Sequence, residues 1–388
     1  MNSPKPPSRS ADLRGAARLA TDATAGLTGL VEAMHERIAR LPGFKPPVEP
    51  GRTRGITGLV YKTVRGVTRL AGGSIDALLG LLAPVLGNSQ GSPEREAVVA
   101  ALNGVLGDYL VTTTNPLATP MTLRVAGPAT GRVLVLAHGL CMNDLQWCRD
   151  GHDHGSALHR DLGYTPVYLR YNTGQHISVN GRALAAQLQE LLDHWPVPVQ
   201  RLVLLGHSMG GLVSRSAMHY ACAAGLPWAG QLTDMVFLGS PHHGAPLERA
   251  GNWVDIVLGA TPYATPFARL GKVRSAGITD LRHGNLLDED WLGRDRFARA
   301  GDRRQPVPLP SGVRCFTAAA TTGGRRGDVK DRLLGDGLVP LDSALGRHTD
   351  PARALAFARA RQRTFTGVNH LDLLSDAAVY RQLRRWLA

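Results

Sequence analysis

From residue 121 onward the chain carries short, largely aliphatic or β-branched runs separated by long mixed segments, and few architectures tolerate that pattern. The runs are 121–125, 132–137, 166–171, 201–205, 235–239, 313–318 and 362–366. Several are apolar apart from a single arginine, so they suit strands buried on both faces of a parallel sheet. The segments between them are long enough for helical crossovers. One of these, 179–195, places Leu184, Leu188, Leu191 and Leu192 on one face, as a helix covering the sheet would. The fold class expected is α/β, a mostly parallel sheet covered by helices on both faces. With 388 residues, 43% hydrophobic and 19% charged, the chain can bury a core of that size.

The residues before this region read differently. Leu27, Leu30, Met34, Ile38 and Leu41 recur at helical spacing until Pro42 and Gly43, and the Pro-rich stretch 42–50 follows as a linker. A second apolar stretch runs from Ile56 to Leu86, broken by Asp76 and Pro84, too short and interrupted for a membrane span. Ser92, Pro93 and Glu94 open a third helix. The expectation is a helical N-terminal extension over 1–111, either packed on the following domain or lying against a membrane or lipid surface, and a catalytic domain over 112–388.

Charge and cysteines exclude several function classes. The formal charge is +13, and from Arg294 to the end 18 basic residues face 9 acidic ones. Such a surface favours anionic partners in general, but no zinc-finger spacing or RNP-like aromatic motif accompanies it, so nucleic acid is not an expected partner. Only five of the 44 basic residues are lysine, consistent with a compositional bias and a solvated face. Cys141, Cys148, Cys222 and Cys315 have neither ligand spacing nor a disulfide pattern. The first twenty residues contain no apolar signal core, so a cytoplasmic setting is expected.

The chemistry concentrates around Gly206-His207-Ser208-Met209-Gly210-Gly211, which follows one apolar run directly and precedes a helix-like run, 212–222. A serine hydroxyl is a weak nucleophile until it is exposed, oriented and given a base, and a sharp strand-to-helix turn does the exposing. Glycines flanking the serine relieve crowding at such a turn. Upstream, the 132–137 run leads into His138-Gly139-Leu140, so the backbone N–H groups of Leu140 and Met209 are the candidate oxyanion hole. His138 and His207 flank these positions as site-lining residues, His138 more readily as a brace for its loop.

Fourteen histidines compete for the role of base, and chain order separates them. A serine on a strand-to-helix elbow is followed by its acid after a late strand and its histidine after the last. Gly335-Asp336-Gly337 follows the 313–318 run, and Asn369-His370-Leu371 follows 362–366. Asp328, Asp331 and Asp342 compete with Asp336, and His348 with His370.

Taken together, His138-Gly139-Leu140, the Ser208 hexapeptide, Gly239-Ser240-Pro241-His242-His243-Gly244, Gly335 to Pro340 and Asn369 to Asp372 resemble bacterial triacylglycerol lipases and the related inositol-deacylase-like esterases of the α/β-hydrolase superfamily. The resemblance spans about 112–388 and implies an α/β-hydrolase fold. It makes Ser208, Asp336 and His370 a catalytic triad and gives the loop of His242 and His243 a place at the site wall. It says nothing of the first hundred residues. Some of those lipases hold calcium, but no pair of aspartates here matches that site, so no metal or cofactor is expected. The long insertion at about 245–310, with Trp253, Ile256, Leu258, Tyr263 and Phe267, reads as an acyl-binding cap or as a satellite core. The function expected is hydrolysis of a small-molecule or lipid ester with an apolar acyl group. Thioester cleavage or acyl transfer would use the same triad, and a non-catalytic scaffold on a lipid surface is the alternative outside enzymology.

Overall fold

The computed structural model describes residues 93–245, 275–295, 301–323 and 335–388. The amphipathic segments before Ser92, the linker at 42–50 and the apolar cap residues 253–267 lie outside the described residues, as do Asp328 and Asp331. Along the chain come helix α1 (Pro93–Thr112), strands β1 (Thr122–Val125) and β2 (Arg132–Ala137), helix α2 (His154–Leu162), β3 (Thr165–Arg170), α3 (Ile177–Asp193), β4 (Arg201–His207), α4 (Met209–Ala223) and the one-turn α5 (Trp228–Gln231). These are followed by β5 (Leu232–Leu238), the short α6 (Ala276–Asp280), β6 (Arg314–Thr321), the one-turn α7 (Leu341–Ala344), β7 (Gln362–Thr366) and α8 (Ala377–Leu387). The strands form one sheet in the order β1-β3-β2-β4-β5-β6-β7, parallel except for β1, which runs antiparallel to β3.

Each expected run occupies a strand, and the differences are at the ends. The central strands are buried along nearly their whole length, as their apolar composition requires. β5 starts at Leu232 rather than 235, which brings a charged residue, Asp234, into the sheet interior. Its register sets it beside Arg314 of β6, and its carboxylate meets Arg201 Nε of β4 at 2.9 Å and Arg314 Nε at 2.7 Å. A carboxylate held between two guanidinium groups from neighbouring strands keeps its counter-charge inside the fold.

Helices cover the sheet where their apolar faces dictate. In α8, Val379, Leu383, Trp386 and Leu387 are buried at helical spacing, and the Asp376 carboxylate caps the helix by accepting from Ala378 N and Val379 N. α3 packs closely on α4 because Gly181 faces Ser216 without a side chain between them. The part of α1 from Val99 on shares a compact unit with residues 118–388. There Gly104 lies against Cys141, and Asn172 Nδ2 donates to the Gly107 carbonyl at 3.0 Å, so the helix backbone approaches the loops after β2 and β3. The described part of the insertion packs here too. Ser275 Oγ donates to the Gly104 carbonyl at 2.6 Å, and Asp280 accepts from Ile177 N at 2.8 Å, satisfying the first turn of α3. Among the described residues, no helix is long and apolar enough to cross a membrane.

One buried charge fixes the loop that leaves β2. Asn143 caps a short helical turn at 144–147, its side chain accepting from Leu145 N while Gln146 reaches back to Asn143 N. In that turn Asp144 is 3% exposed and bonds Arg124 Nε of β1 at 2.8 Å and Arg170 Nε of β3 at 2.5 Å. Burial alone would raise its pKa, but the two guanidinium groups outweigh burial and hold it below the usual carboxylate value. The carboxylate therefore adds stability above the unfolded-state pKa of about 3.9 that is lost as pH falls through its lower folded value. Asp144→Asn is expected to cost about 1–3 kcal/mol at pH 7, discounted because both arginines are partly exposed. Chemical denaturation of the two proteins at pH 7 and near pH 3 checks this, and the gap between them should narrow on the acid side.

Candidate active site

β4 ends at His207 and α4 begins at Met209, and Ser208 between them has φ 53° and ψ −124°. A non-glycine residue in the left-handed region is strained, and here the sheet and helix hold it there. Ser208 N donates to the Leu238 carbonyl of β5 at 2.8 Å. Behind the serine, Gly210 presses on the backbone of Ala137 and His138, where any Cβ would collide with the Ala137 carbonyl oxygen. Gly206 meets Gly211 in the same way across the turn. The two glycines flanking Ser208 are thus required by backbone contact rather than by their own dihedral angles.

The loop after β2 closes on the serine from the other side. A Cβ on Gly139 would lie 3.0 Å from Ser208 Cβ, so the Gly139 backbone sits directly against the serine side chain. Within this loop Cys141 N donates to Thr173 Oγ1 at 3.1 Å and Met142 N to the Gly139 carbonyl at 3.3 Å. Cys141 itself has φ 59°. His138 stacks on Tyr171 with ring centroids 4.4 Å apart, its Nδ1 lies 2.9 Å from the Gly139 carbonyl, and Tyr171 Oη donates to the His138 carbonyl at 2.8 Å. These contacts make His138 a brace of the loop.

Asp336 and His370 come together from the loops after β6 and β7. His370 Nδ1 lies 2.7 Å from Asp336 Oδ2, and the Asp336 carbonyl accepts from His370 N at 3.1 Å. The other carboxylate oxygen, Oδ1, accepts from Leu338 N at 3.0 Å and Val339 N at 2.8 Å. Asp336 is 2% exposed, so its charge is held by two backbone donors and an imidazole rather than by water. In a neutral imidazole, Nδ1–H donating to the carboxylate leaves Nε2 as the acceptor. The loop is set by Asn369, whose Oδ1 caps Leu371 N and Asp372 N.

Two residues that the sequence reading did not assign to this task join the pair to the elbow. Gly239 follows Leu238 with φ 57°, and a Cβ there would lie 3.1 Å from both Asp336 Oδ2 and His370 Nδ1. His207 bonds the His370 carbonyl through Nε2 at 3.0 Å, and the two rings are 4.7 Å apart. The residue before the serine therefore touches the residue that carries the imidazole. A glycine after a strand and a histidine before a serine are visible in the sequence, but nothing local tells what they touch.

The competing residues are engaged elsewhere. Asp342 pairs with exposed Arg347, and His348 accepts from Asp350 N and rests against His243. His242 is wholly buried beside Phe237 and Phe357, with Arg215 Nη1 3.4 Å from its Nδ1, while His243 Nδ1 accepts from Arg304 Nη2 at 2.8 Å. Both belong to an arginine-rich cluster rather than to the Asp336–His370 pair. A cavity of about 280 Å³ beside His176, Arg282 and Trp291 is likewise not lined by Ser208, Asp336 or His370. No group of three or more His, Cys, Asp or Glu side chains that could hold a metal occurs among the described residues.

Burial lowers the pKa of several histidines: His138 and His154 to about 4, His243 to about 4 on a half-buried side chain, and His207 and His242 well below the ordinary value. These rings stay neutral in the folded protein while the unfolded chain takes up protons near pH 6.5. The unfolded state then binds more protons between about pH 6.5 and 4, and stability falls as pH drops through that window. Thermal unfolding followed from pH 7 to 4.5 at fixed ionic strength should show a steady fall in Tm, and a flat profile would contradict the neutral assignment.

The sheet order and the strand–serine–helix turn are those of the α/β-hydrolase fold. Residues 128–318, just under half the chain, match the family described as PGAP1-like alpha/beta domain; the match includes Ser208 and ends before Asp336 and His370. No curated protein matches the chain. Among solved structures, the chain is similar to the mature lipase BlEst2 of Bacillus licheniformis, at 19% identity over 69% of this chain and 98% of that one with a TM-score of 0.44. It is also similar to the esterase RhEst1 of a Rhodococcus species, at 17% identity over 70% and 95% with a TM-score of 0.40.

Proposed function

We propose that this α/β hydrolase cleaves a carboxylic ester through an acyl-enzyme on Ser208, with His370 as the base and Asp336 as its orienting acid. The observation that carries the reading is the buried Asp336–His370 bond of 2.7 Å, joined through Gly239 and His207 to the turn that bears the serine. A carboxylate bonded to Nδ1 fixes the tautomer in which Nε2 accepts, and it stabilises the imidazolium that forms when the proton arrives. Ser208 Oγ attacks the ester carbonyl as its proton passes to His370 Nε2. Collapse of the tetrahedral intermediate expels the alcohol, which takes that proton. In the second half, water gives a proton to His370 and attacks the acyl carbon, and the carboxylic acid leaves as the proton returns to Ser208.

Leu140 N–H and Met209 N–H are the donors we assign to the oxyanion. Met209 opens α4, where first-turn amides have no partner within the helix, and the loop bonds around Leu140 involve Cys141 and Met142 instead. The positive end of the α4 dipole faces the same point. An apolar acyl group suits the aliphatic and aromatic composition of the insertion between β5 and β6. The substrate class assigned is accordingly a small-molecule or lipid ester.

Hydrolysis of p-nitrophenyl esters from short to long acyl chains tests the reading. Ser208→Ala and His370→Ala are expected to lose about 10⁴-fold or more in kcat, and Asp336→Asn about 10³- to 10⁴-fold. Circular dichroism verifies that each variant remains folded. Turnover retained in folded Ser208→Ala would rule out the acyl-enzyme.

A further inference from the structure

A second concentration of polar groups lies where α4 meets the loop after β5. Arg215, one turn and a half into α4, is 5% exposed. Its Nη2 donates to the Val307 carbonyl, and its Nη1 is 3.4 Å from His242 Nδ1. Since guanidinium only donates, His242 Nδ1 is the acceptor and its proton sits on Nε2. That leaves two buried donors, Arg215 Nε–H and His242 Nε2–H, with no acceptor among the described residues. Both residues line a cavity of about 20 Å³ together with Arg304 and Arg353. Roughly 10–15 Å³ of such space admits one water-sized particle, so the cavity has room for a single small occupant.

Charge decides which kind. Arg304 donates to the His242 carbonyl at 2.6 Å and pairs with Asp302 at 3.0 Å, and the same carboxylate also serves Arg353 at 3.1 Å. Asp350, half-exposed at the rim, is the other partner of Arg353. Arg215 has no carboxylate beside it among the described residues. Burial first, and the repulsion of Arg304 next, bring its pKa down to about 9, and burial, Arg215, His243 and Arg304 all oppose protonation of His242. An unpaired guanidinium out of water is a costly arrangement that a counter-anion relieves, and two N–H donors of one sign are the ordinary partners of an anion rather than of a cation.

We propose that the cavity between Arg215 and His242 is a binding site for one small monovalent anion of halide size, which pins α4 to the Gly239–Gly244 loop. The anion accepts from Arg215 Nε–H and His242 Nε2–H and supplies the counter-charge that Asp302, engaged with Arg304 and Arg353, does not give to Arg215. Because the same loop begins at Gly239, against Asp336 and His370, the bound ion supports the site from behind without touching substrate. This site is independent of the esterase reading and would stand if that reading failed.

Thermal unfolding of the full chain in chloride or bromide against gluconate, at equal ionic strength, reads the site directly. A saturable rise in Tm with halide and none with gluconate is expected, since a ligand that binds only the folded state raises its stability with concentration. In Arg215→Met that halide-dependent rise should vanish. Should this variant fail to fold, anomalous diffraction from bromide-grown crystals of the wild type gives the second readout, with a peak between Arg215 Nε and His242 Nε2 expected. Equal Tm in halide and gluconate, or a water with no anomalous signal in the cavity, would overturn the proposal.

Discussion

A side-chain carbon at position 210 would collide with the carbonyl oxygen of Ala137, and that close approach is the constraint on which the remaining geometry depends. Because α4 can press its first turn onto the end of β2, the turn between β4 and α4 is forced sharp, and Ser208 is driven to φ 53°. The same closeness sets Gly139 against the serine. A parallel sheet supplies the rest: strands β4, β5, β6 and β7 all end on one edge, so the loops after them converge. His207, Gly239, Asp336 and His370 are the first residues or loop residues after those four strands, or the last within one, and they meet one another there.

Buried charge is handled in two different ways within a short span. Asp336 is ringed by donors, two from backbone and one from imidazole. Asp234 and Asp144 are each held between two arginines on separate strands, binding sheet edges and loops together. Around Arg215 the proportion is reversed: Asp302 serves Arg304 and Arg353, while Arg215, beside His242, has no carboxylate against it among the described residues. An electrostatic surplus of that kind calls for an external partner, and it sits at the back of the loop that begins with Gly239.

Much of the fold was legible because a strand buried on both faces has to be apolar along its length, and 132–137 and 201–205 meet that demand from their second residue on. The order of serine, acid and histidine was likewise enough to single out Asp336 and His370, which the structure then brings into a bond. What stayed hidden depends on distant partners. Asp234 reads as a strand breaker until Arg201 and Arg314 are set beside it, and this is why the sequence reading began β5 three residues late. Gly104 and Gly107 let α1 approach the loops carrying Cys141 and Asn172, contacts that nothing local in the sequence displays. Arg215 and His242 gain their meaning only from Arg304 and Val307, some ninety residues along the chain from Arg215.

The claim that Ser208 is an activated nucleophile can be tested without knowing the natural substrate. A fluorophosphonate reacts with a serine only where a base removes its proton and an oxyanion site receives the developing charge. Mass spectrometry of the labelled, digested protein should find one adduct, on Ser208, and the adduct should disappear in folded His370→Ala. Folded protein that takes no label, or takes it on a serine other than Ser208, would contradict the account.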